Sequence, residues 1–356
     1  MKMNRKITIL GSGIALGVYV PALRLRDYLI NKKYEVEVII LEELFTPIEK
    51  KKLLTNKQIF HSSFRIAKKA HQIAADMTRI CDTNLVERLF NTWEKENQDK
   101  FVIVSGYWGE LILEFQNRVS YKLYVDCIHM DAVCSNSWKR IISKMQGFSQ
   151  IWPFDLKNCK VTTEIPYIKY CDNPMQEQKQ IVIHGGGWGM GLLDEAFQTM
   201  KQFSDYRIYR VAYHQKEYEQ YCKEDDKVYY MDEEWIPWSR NEVGELSYPQ
   251  IWKSGSVKIS LDDMLYENNV IISKPGGGTL MDSIVLAKPI IFLNALSEYE
   301  EKNKELWENL NFGISMENWK NIEFSYDVLD KMQKSILHYQ NSMVEMEDLL
   351  CSLKQQ

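Results

Sequence analysis

The chain alternates short apolar, β-branched runs with amphipathic stretches, and it does so twice. In the first half, residues 7–10 (Ile-Thr-Ile-Leu), 35–41, 101–105 and 121–126 have the composition of buried strands. Between them, apolar positions at helical spacing cover 21–29, 64–81 and 84–96. Short runs at 151–153 and 165–167 predict closing strands. Around 170–180 the pattern lapses into a polar stretch containing Pro174, which predicts a linker. A second series follows. Its strands fall at 180–183, 206–212, 227–231, 257–259, 270–272 and 289–292, and its helices at 192–203, 216–222, 261–267, 279–286 and 300–310. A helical tail runs from 326 to 354. Strands separated by helices predict α/β architecture with a parallel, doubly wound sheet in each half. The expected units are 1–170, 180–325 and a tail over 326–356.

One segment breaks the rhythm. Residues 232–255 carry Trp235, Pro237, Trp238, Tyr248, Pro249 and Trp252 among acids. This predicts an inserted loop with aromatic anchors, either a local cover over the core or a lid facing a ligand.

Two glycine-rich turns carry the chemistry. The first is His184-Gly185-Gly186-Gly187-Trp188-Gly189-Met190-Gly191 and the second is Ser273-Lys274-Pro275-Gly276-Gly277-Gly278-Thr279. Each follows an apolar strand and precedes a helix, an order that presents backbone N–H groups and a positive helix end to an anion. Gly186, Gly187 and Gly189, with Gly276, Gly277 and Gly278, let the backbone approach a pyrophosphate because no side chain intervenes. Thr279 adds a hydroxyl, and Asp282, a helical turn later, can accept from ribose hydroxyls. His184 either faces the cleft or packs in the core.

Composition narrows the classes. With 356 residues, 45% hydrophobic and 26% charged, the chain has room for two globular domains, and its net charge of −5 argues against a general nucleic-acid binder. It has no apolar run of about 18 residues and no signal-peptide pattern at its start, so a cytoplasmic location is expected. Seven scattered cysteines, an odd number with no CxxC spacing, predict free thiols rather than a zinc site or disulfides. From Lys50 to His71 there are seven Lys or Arg and no acid, with Leu53, Leu54, Ile59, Phe60, Phe64 and Ile66 interleaved. This stretch is either a solvated helix face or a contact for an anionic surface, a peripheral site at the inner membrane face or an anionic acceptor.

Over about residues 180–315 the chain resembles the nucleotide-sugar domain of GT-B glycosyltransferases. The branch is the family 28-like one that holds the diacylglycerol glycosyltransferases and the peptidoglycan N-acetylglucosaminyltransferase. The branch's GGGxGMG appears as Gly185 to Gly191, and its KPGGxTxxE as Lys274 to Asp282, with Asp in place of Glu. The G-x-P strand that follows is Ala287-Lys288-Pro289, the E-x-x-N pattern is Glu300 to Asn303, and a closing glycine is Gly313. The resemblance implies a GT-B fold, two Rossmann-like domains facing each other across a cleft. It also implies a metal-independent, inverting transfer from a UDP-sugar to a small-molecule, natural-product or lipid acceptor, with UDP-sugar as substrate and no cofactor. It places Glu300 and Asn303 near the donor sugar; Tyr299 stands where the family often has Gln. A nucleotide-sugar epimerase or hydrolase of the same fold, or a non-catalytic nucleotide-sugar-binding subunit, are the rival readings.

The first half departs from that branch. The opening loop runs from Gly11 through Gly13 and Gly17 to Pro21, and Val18 stands where many relatives have the His of G-H-x-x-P. A valine cannot accept a proton, so a base is sought at the carboxyl ends of the strands. Asp126 and His129, with Trp138 downstream, match residues that end the corresponding strand in the lipid glycosyltransferases, and a carboxylate there can take the acceptor proton. Tyr107 and Glu110, after the preceding strand, are further acceptor-side candidates.

Overall fold

The computed structural model describes residues 6–14, 16–71, 76–166, 179–203, 206–224, 227–253 and 257–354. Apart from 179 and 180, the linker expected at 170–180 lies outside the described residues.

The first half is a five-stranded parallel sheet made of β1 (Ile7–Gly11), β2 (Val36–Ile40), β3 (Lys100–Ile103), β4 (Tyr124–Ile128) and β5 (Ser149–Ile151), in the order β2-β1-β3-β4-β5. A small hairpin of β6 (Phe154–Asp155) and β7 (Lys160–Val161) follows. The second half builds an eight-stranded sheet from β8 (Gln180–Ile183), β9 (Arg207–Ala212), β10 (Val228–Met231), β11 (Gln250–Lys253), β12 (Val257–Ser260), β13 (Val270–Ser273), β14 (Ile290–Phe292) and β15 (Gly313–Ser315). Its order is β12-β11-β10-β9-β8-β13-β14-β15, parallel except where β11 pairs with its two neighbours.

These orders decide where a ligand can sit. In the second sheet, the strand order reverses between β8 and β13, which are parallel, hydrogen-bonded neighbours with Ile183 opposite Ile272. The two glycine turns leave the carboxyl ends of those two strands and therefore lie side by side. In the first sheet the reversal lies between β1 and β3. A doubly wound sheet binds ligands outside the strand carboxyl ends at such a reversal.

The two halves are joined by contacts that need small or charged residues at defined places. Helix Leu16–Asn31 of the first half packs along helix Gly277–Leu286 of the second. A Cβ on Gly278 would lie 2.7 Å from the Cα of Gly17, and one on Gly277 would lie 2.0 Å from the carbonyl oxygen of Met130, so only glycine permits this approach. Deeper in the same seam, the Arg24 guanidinium is 1% exposed and is ion-paired with Asp262 and, at 2.7 Å, with Asp282.

The inserted segment is a strap between the halves, wider than either a local cover or a ligand lid. Tyr19 donates to the carbonyl of Ser247 at 2.8 Å, Tyr248 donates to Asp27 at 2.8 Å, and Arg240 pairs with Glu43. Trp235 meets the Tyr19 ring edge-on at 5.4 Å. The segment also ends in a strand, β11, whose antiparallel pairing the alternating pattern did not reveal.

Other elements differ from expectation for local reasons. The basic stretch forms helix Pro47–Ser62, started by Thr46, whose hydroxyl accepts from the Glu49 amide, and by Pro47 in the first turn. Of the helix expected at 64–81, the described residues form helix Phe64–Ala70 and a 3-10 turn at Met77–Ile80; residues 72–75 lie outside the described residues. Helix Gly109–Arg118 went unrecognised, and residues 165 and 166 are not in a strand. The tail is helix Tyr326–Gln340 followed by two short pieces, Met346–Leu349 and Cys351–Lys354. The last piece returns to the first half and packs on β3 and β4.

Replacing Arg24 by Met leaves Asp262 and Asp282 facing each other in the seam without their cation. Breaking a buried pair in this way costs about 3–5 kcal/mol. The expected result is a clear drop in the urea midpoint of Arg24→Met, partly restored in Arg24→Met/Asp262→Asn.

Candidate functional site

The facing strand ends enclose a cavity of about 180 Å³. From the first half it is lined by Ser12 and Ile14 after β1, Ser105 and Tyr107 after β3, and Met130 and Asp131 after β4. The second half contributes His184 to Trp188, Lys274, Gly276 to Thr279, Asp282, Tyr299 and Glu300. Both glycine turns reach it, as their positions beside the β8–β13 reversal require.

The two turns are not equivalent. In the first, most amides are already engaged within the protein. The Gly185 N–H donates to the Tyr213 hydroxyl at 2.9 Å, that of Gly186 to His184 Nδ1 at 3.1 Å, and that of Gly189 to the Gly186 carbonyl at 3.2 Å. Gly186 and Gly189 hold φ of +68° and +62°, so glycine is needed there for the turn itself. A Cβ on Gly187 would collide with Leu16. Gly189 faces away from the cavity, and its carbonyl is 2.9 Å from His61 Nδ1. The second turn differs, because Gly276 caps helix Gly277–Leu286 without a side-chain cap and leaves the positive helix end at the cavity wall.

Charge is concentrated beside that helix end. Lys274 is ion-paired with Glu300, which is 3% exposed and also accepts from the Leu296 amide at 2.7 Å. Asp282 lines the cavity with one oxygen on Arg24; burial raises its pKa to about 6 against the pull of the guanidinium. Asp131 is also raised to about 6, chiefly by burial, while hydrogen bonding from Asn303 opposes the shift. Asn303 is fully buried and lies behind the wall. Its amide donates to Asp131 at 2.8 Å and to the Pro275 carbonyl at 2.9 Å, and its oxygen accepts from the Ala132 amide at 2.7 Å. It therefore holds Asp131 in place, and unlike Glu300 it does not line the cavity.

The expected base is displaced. Asp126 is 0% exposed in the middle of β4, and its two oxygens accept from the Cys351 and Ser352 amides at 2.9 and 2.8 Å. It caps the last helical piece and does not line the cavity. His129 is 1% exposed and lies flat on Trp152, with centroids 3.9 Å apart, and Nε2 is 2.8 Å from Gln150. Burial lowers its pKa to about 4, so it is a neutral packed ring. Glu110 is on the outer surface, accepting from Lys144 at 2.8 Å. Gly17, Val18 and Tyr107 do line the cavity, and Val18 brings no proton acceptor.

Gly13 has a different partner from the one its loop suggested. Glu42, 0% exposed, accepts from the Ser12 hydroxyl at 2.6 Å, the Gly13 amide at 2.7 Å and the Ile14 amide at 3.1 Å. The amides of the opening loop thus hold an anion of the protein's own. The basic stretch from Lys50 to His71 is likewise divided. His61 bridges Gly189 and Glu217, and Phe60 packs on Trp188 at 5.8 Å, whereas Lys51, Lys52, Arg65, Lys68 and Lys69 are exposed alongside Ile48, Ile59 and Ile66.

Asp131, Lys274 and Arg24 were missed as site residues. Asp131 sits three positions beyond the β4 strand end, in the loop that was searched for a base. Lys274 stands inside the quoted KPGG segment. Arg24 carries no sequence signal of its own, because its partners are 238 and 258 residues away.

No family model matches the sequence, and no curated protein does. Solved structures match over the whole chain. Arabidopsis thaliana UGT89C1 complexed with UDP-L-rhamnose superposes with a TM-score of 0.58 at 10% identity, covering 99% of this chain and 100% of that one. The Streptomyces sp. SF2575 glycosyltransferase SsfS6 complexed with thymidine diphosphate gives 0.53 at 11% identity, covering 99% and 100%. Acinetobacter baumannii MurG gives 0.52 at 11%, covering 98% of each chain. The fold of this chain is GT-B, as the resemblance implied.

The surroundings of Asp126 generate a prediction. Asp126→Asn keeps the shape but loses one charged acceptor for two buried amides. It should lower stability by about 1–3 kcal/mol in urea unfolding. Unchanged stability would contradict the capping role.

Proposed function

We propose that the protein is a glycosyltransferase that moves a sugar from a UDP-sugar to a hydroxyl of a small-molecule, natural-product or lipid acceptor, with inversion and without a metal. The observation that carries the reading is the meeting of two glycine turns at one sheet reversal, opposite a half-buried carboxylate from the other domain. The printed complexes of SsfS6 with thymidine diphosphate and of UGT89C1 with UDP-L-rhamnose belong to those proteins; they support a nucleotide-sugar donor for this one.

The diphosphate takes the start of helix Gly277–Leu286, where free amides, the helix dipole and Lys274 stabilise the departing charge. Asp282 keeps Oδ1 on Arg24 and offers Oδ2 to the ribose hydroxyls. Glu300 lies at the sugar end. Asp131 replaces Asp126 as base, taking the acceptor proton as the new C–O bond forms. Gly277 and Gly278 rest on Met130 and Gly17, so the two domains part to admit the donor and close again over it. The exposed lysines and isoleucines of residues 48–69 support contact with an anionic bilayer where the acceptor is a lipid.

The test is UDP release from a panel of UDP-sugars with hydroxyl acceptors. Release that depends on acceptor supports the reading. Release without acceptor turns it toward hydrolysis, and binding without turnover turns it toward a binding subunit. Asp131→Asn should lower kcat by about 10²–10⁴-fold with UDP affinity retained. Because the base must be a carboxylate and its pKa is about 6, kcat/KM should rise with pH through that value and level off above it. Asp282→Ala should weaken UDP binding about tenfold; unchanged affinity would remove it from the site.

A further inference from the structure

His184 is a buried titratable group at the cavity that the proposed mechanism does not use. It follows β8 directly, and its own amide donates to the Ile272 carbonyl of β13 at 3.1 Å, which fixes the backbone at the strand reversal. The side chain is 5% exposed and lines the cavity. Nδ1 accepts from the Gly186 amide at 3.1 Å. A ring nitrogen that accepts carries no proton, so in the neutral ring the proton is on Nε2. Nε2 is buried and has no hydrogen-bond partner among the described residues. A buried donor without an acceptor is a cost that native folds rarely carry without cause.

We infer that His184 Nε2–H is a donor to the diphosphate of the nucleotide sugar, held in a single neutral tautomer by the amide of Gly186. The inference rests on the nucleotide-sugar reading of the second half and adds a ligand contact to it. The geometry supports an anion rather than a sugar or base. His184 and Lys274 leave adjacent strands, and helix Gly277–Leu286 begins three residues after Lys274. A cation, a neutral N–H and a helix start thus meet at one end of the cavity. The first turn spends its own Gly186 amide on Nδ1, so its donor capacity is passed through the ring to the opposite nitrogen. Burial and the nearby Lys274 charge lower the His184 pKa to about 4, so the ring stays a neutral donor across the physiological range.

Two substitutions separate the two ends of the ring. His184→Asn keeps an acceptor for the Gly186 amide and loses the far donor. His184→Gln carries an N–H to about the Nε2 position. Calorimetric titration with UDP, inorganic pyrophosphate and uridine reads the difference, with thermal melting as a check on folding. The expected result is that Asn weakens UDP and pyrophosphate about ten- to a hundredfold, leaves uridine unchanged, and that Gln recovers most of the loss. Should the Asn variant fold poorly, His184→Met, of similar bulk and without a donor, makes the same comparison. Wild-type affinity for UDP in the Asn or Met variant overturns the inference, and so does an equal loss for uridine, which would mark a purely structural histidine. If the wild type binds neither UDP nor pyrophosphate, the nucleotide-sugar reading itself falls and the inference falls with it.

Discussion

A guanidinium buried between two domains governs this molecule. Arg24 comes from the first helix of one sheet and is held by Asp262 and Asp282 of the other, with almost no solvent access. One cation facing two carboxylates leaves the cluster anionic, and part of that excess is relieved by the raised pKa of Asp282. Such a cluster is strong evidence for a fixed relative placement and weaker evidence for stability, since desolvation offsets much of the attraction. The placement is what counts here. With Arg24 seated, Gly17 reaches Gly278, Met130 reaches Gly277, and the carboxyl ends of both sheets face one another across the cavity. The ion pair also joins the domain contact to the cavity, because Asp282 belongs to both the seam and the wall.

Around the cavity, anions and their receptors are shared out in an orderly way. The opening loop of the first sheet has glycines, a serine hydroxyl and free amide directions, all features of an anion cradle. It is filled by Glu42 from the same domain. The first glycine turn of the second sheet is largely satisfied by Tyr213, His184 and its own carbonyls. Only the second turn, uncapped and beside Lys274, keeps a helix start for an external charge. One domain therefore offers anion recognition while the other offers carboxylate and hydroxyl groups. That asymmetry suits a donor with a diphosphate and an acceptor with a proton to lose.

The sequence made the two glycine turns readable because their chemistry is local. Strand, glycines and helix follow one another within about a dozen residues, and the adjacency of the two turns follows from a strand order that alternation alone suggests. The first half was harder. Asp126 ends in the right region by spacing, yet what it does is set by Cys351 and Ser352, more than 200 residues away. Asn303 was expected at the sugar, and its partners Asp131, Ala132 and Pro275 come from two other segments. The strap at 232–255 showed its aromatic anchors but not their docking partners in the other domain. For helix Pro47–Ser62 a helix face was one of the two readings, but its start was not placed, although Thr46, Pro47 and Glu49 form a clear start signal.

The cap that Asp126 provides has a bearing on how the chain is made. Its carboxylate is enclosed within β4, and the amides that neutralise it belong to Cys351 and Ser352. A ribosome delivers β4 more than 200 residues before those amides. Until they emerge, the Asp126 carboxyl at the centre of the first domain lacks the two backbone donors that it has in the complete fold. Domains usually fold as units in the order of synthesis. Here the packing of the first domain is completed only when residues 351 and 352 have been made.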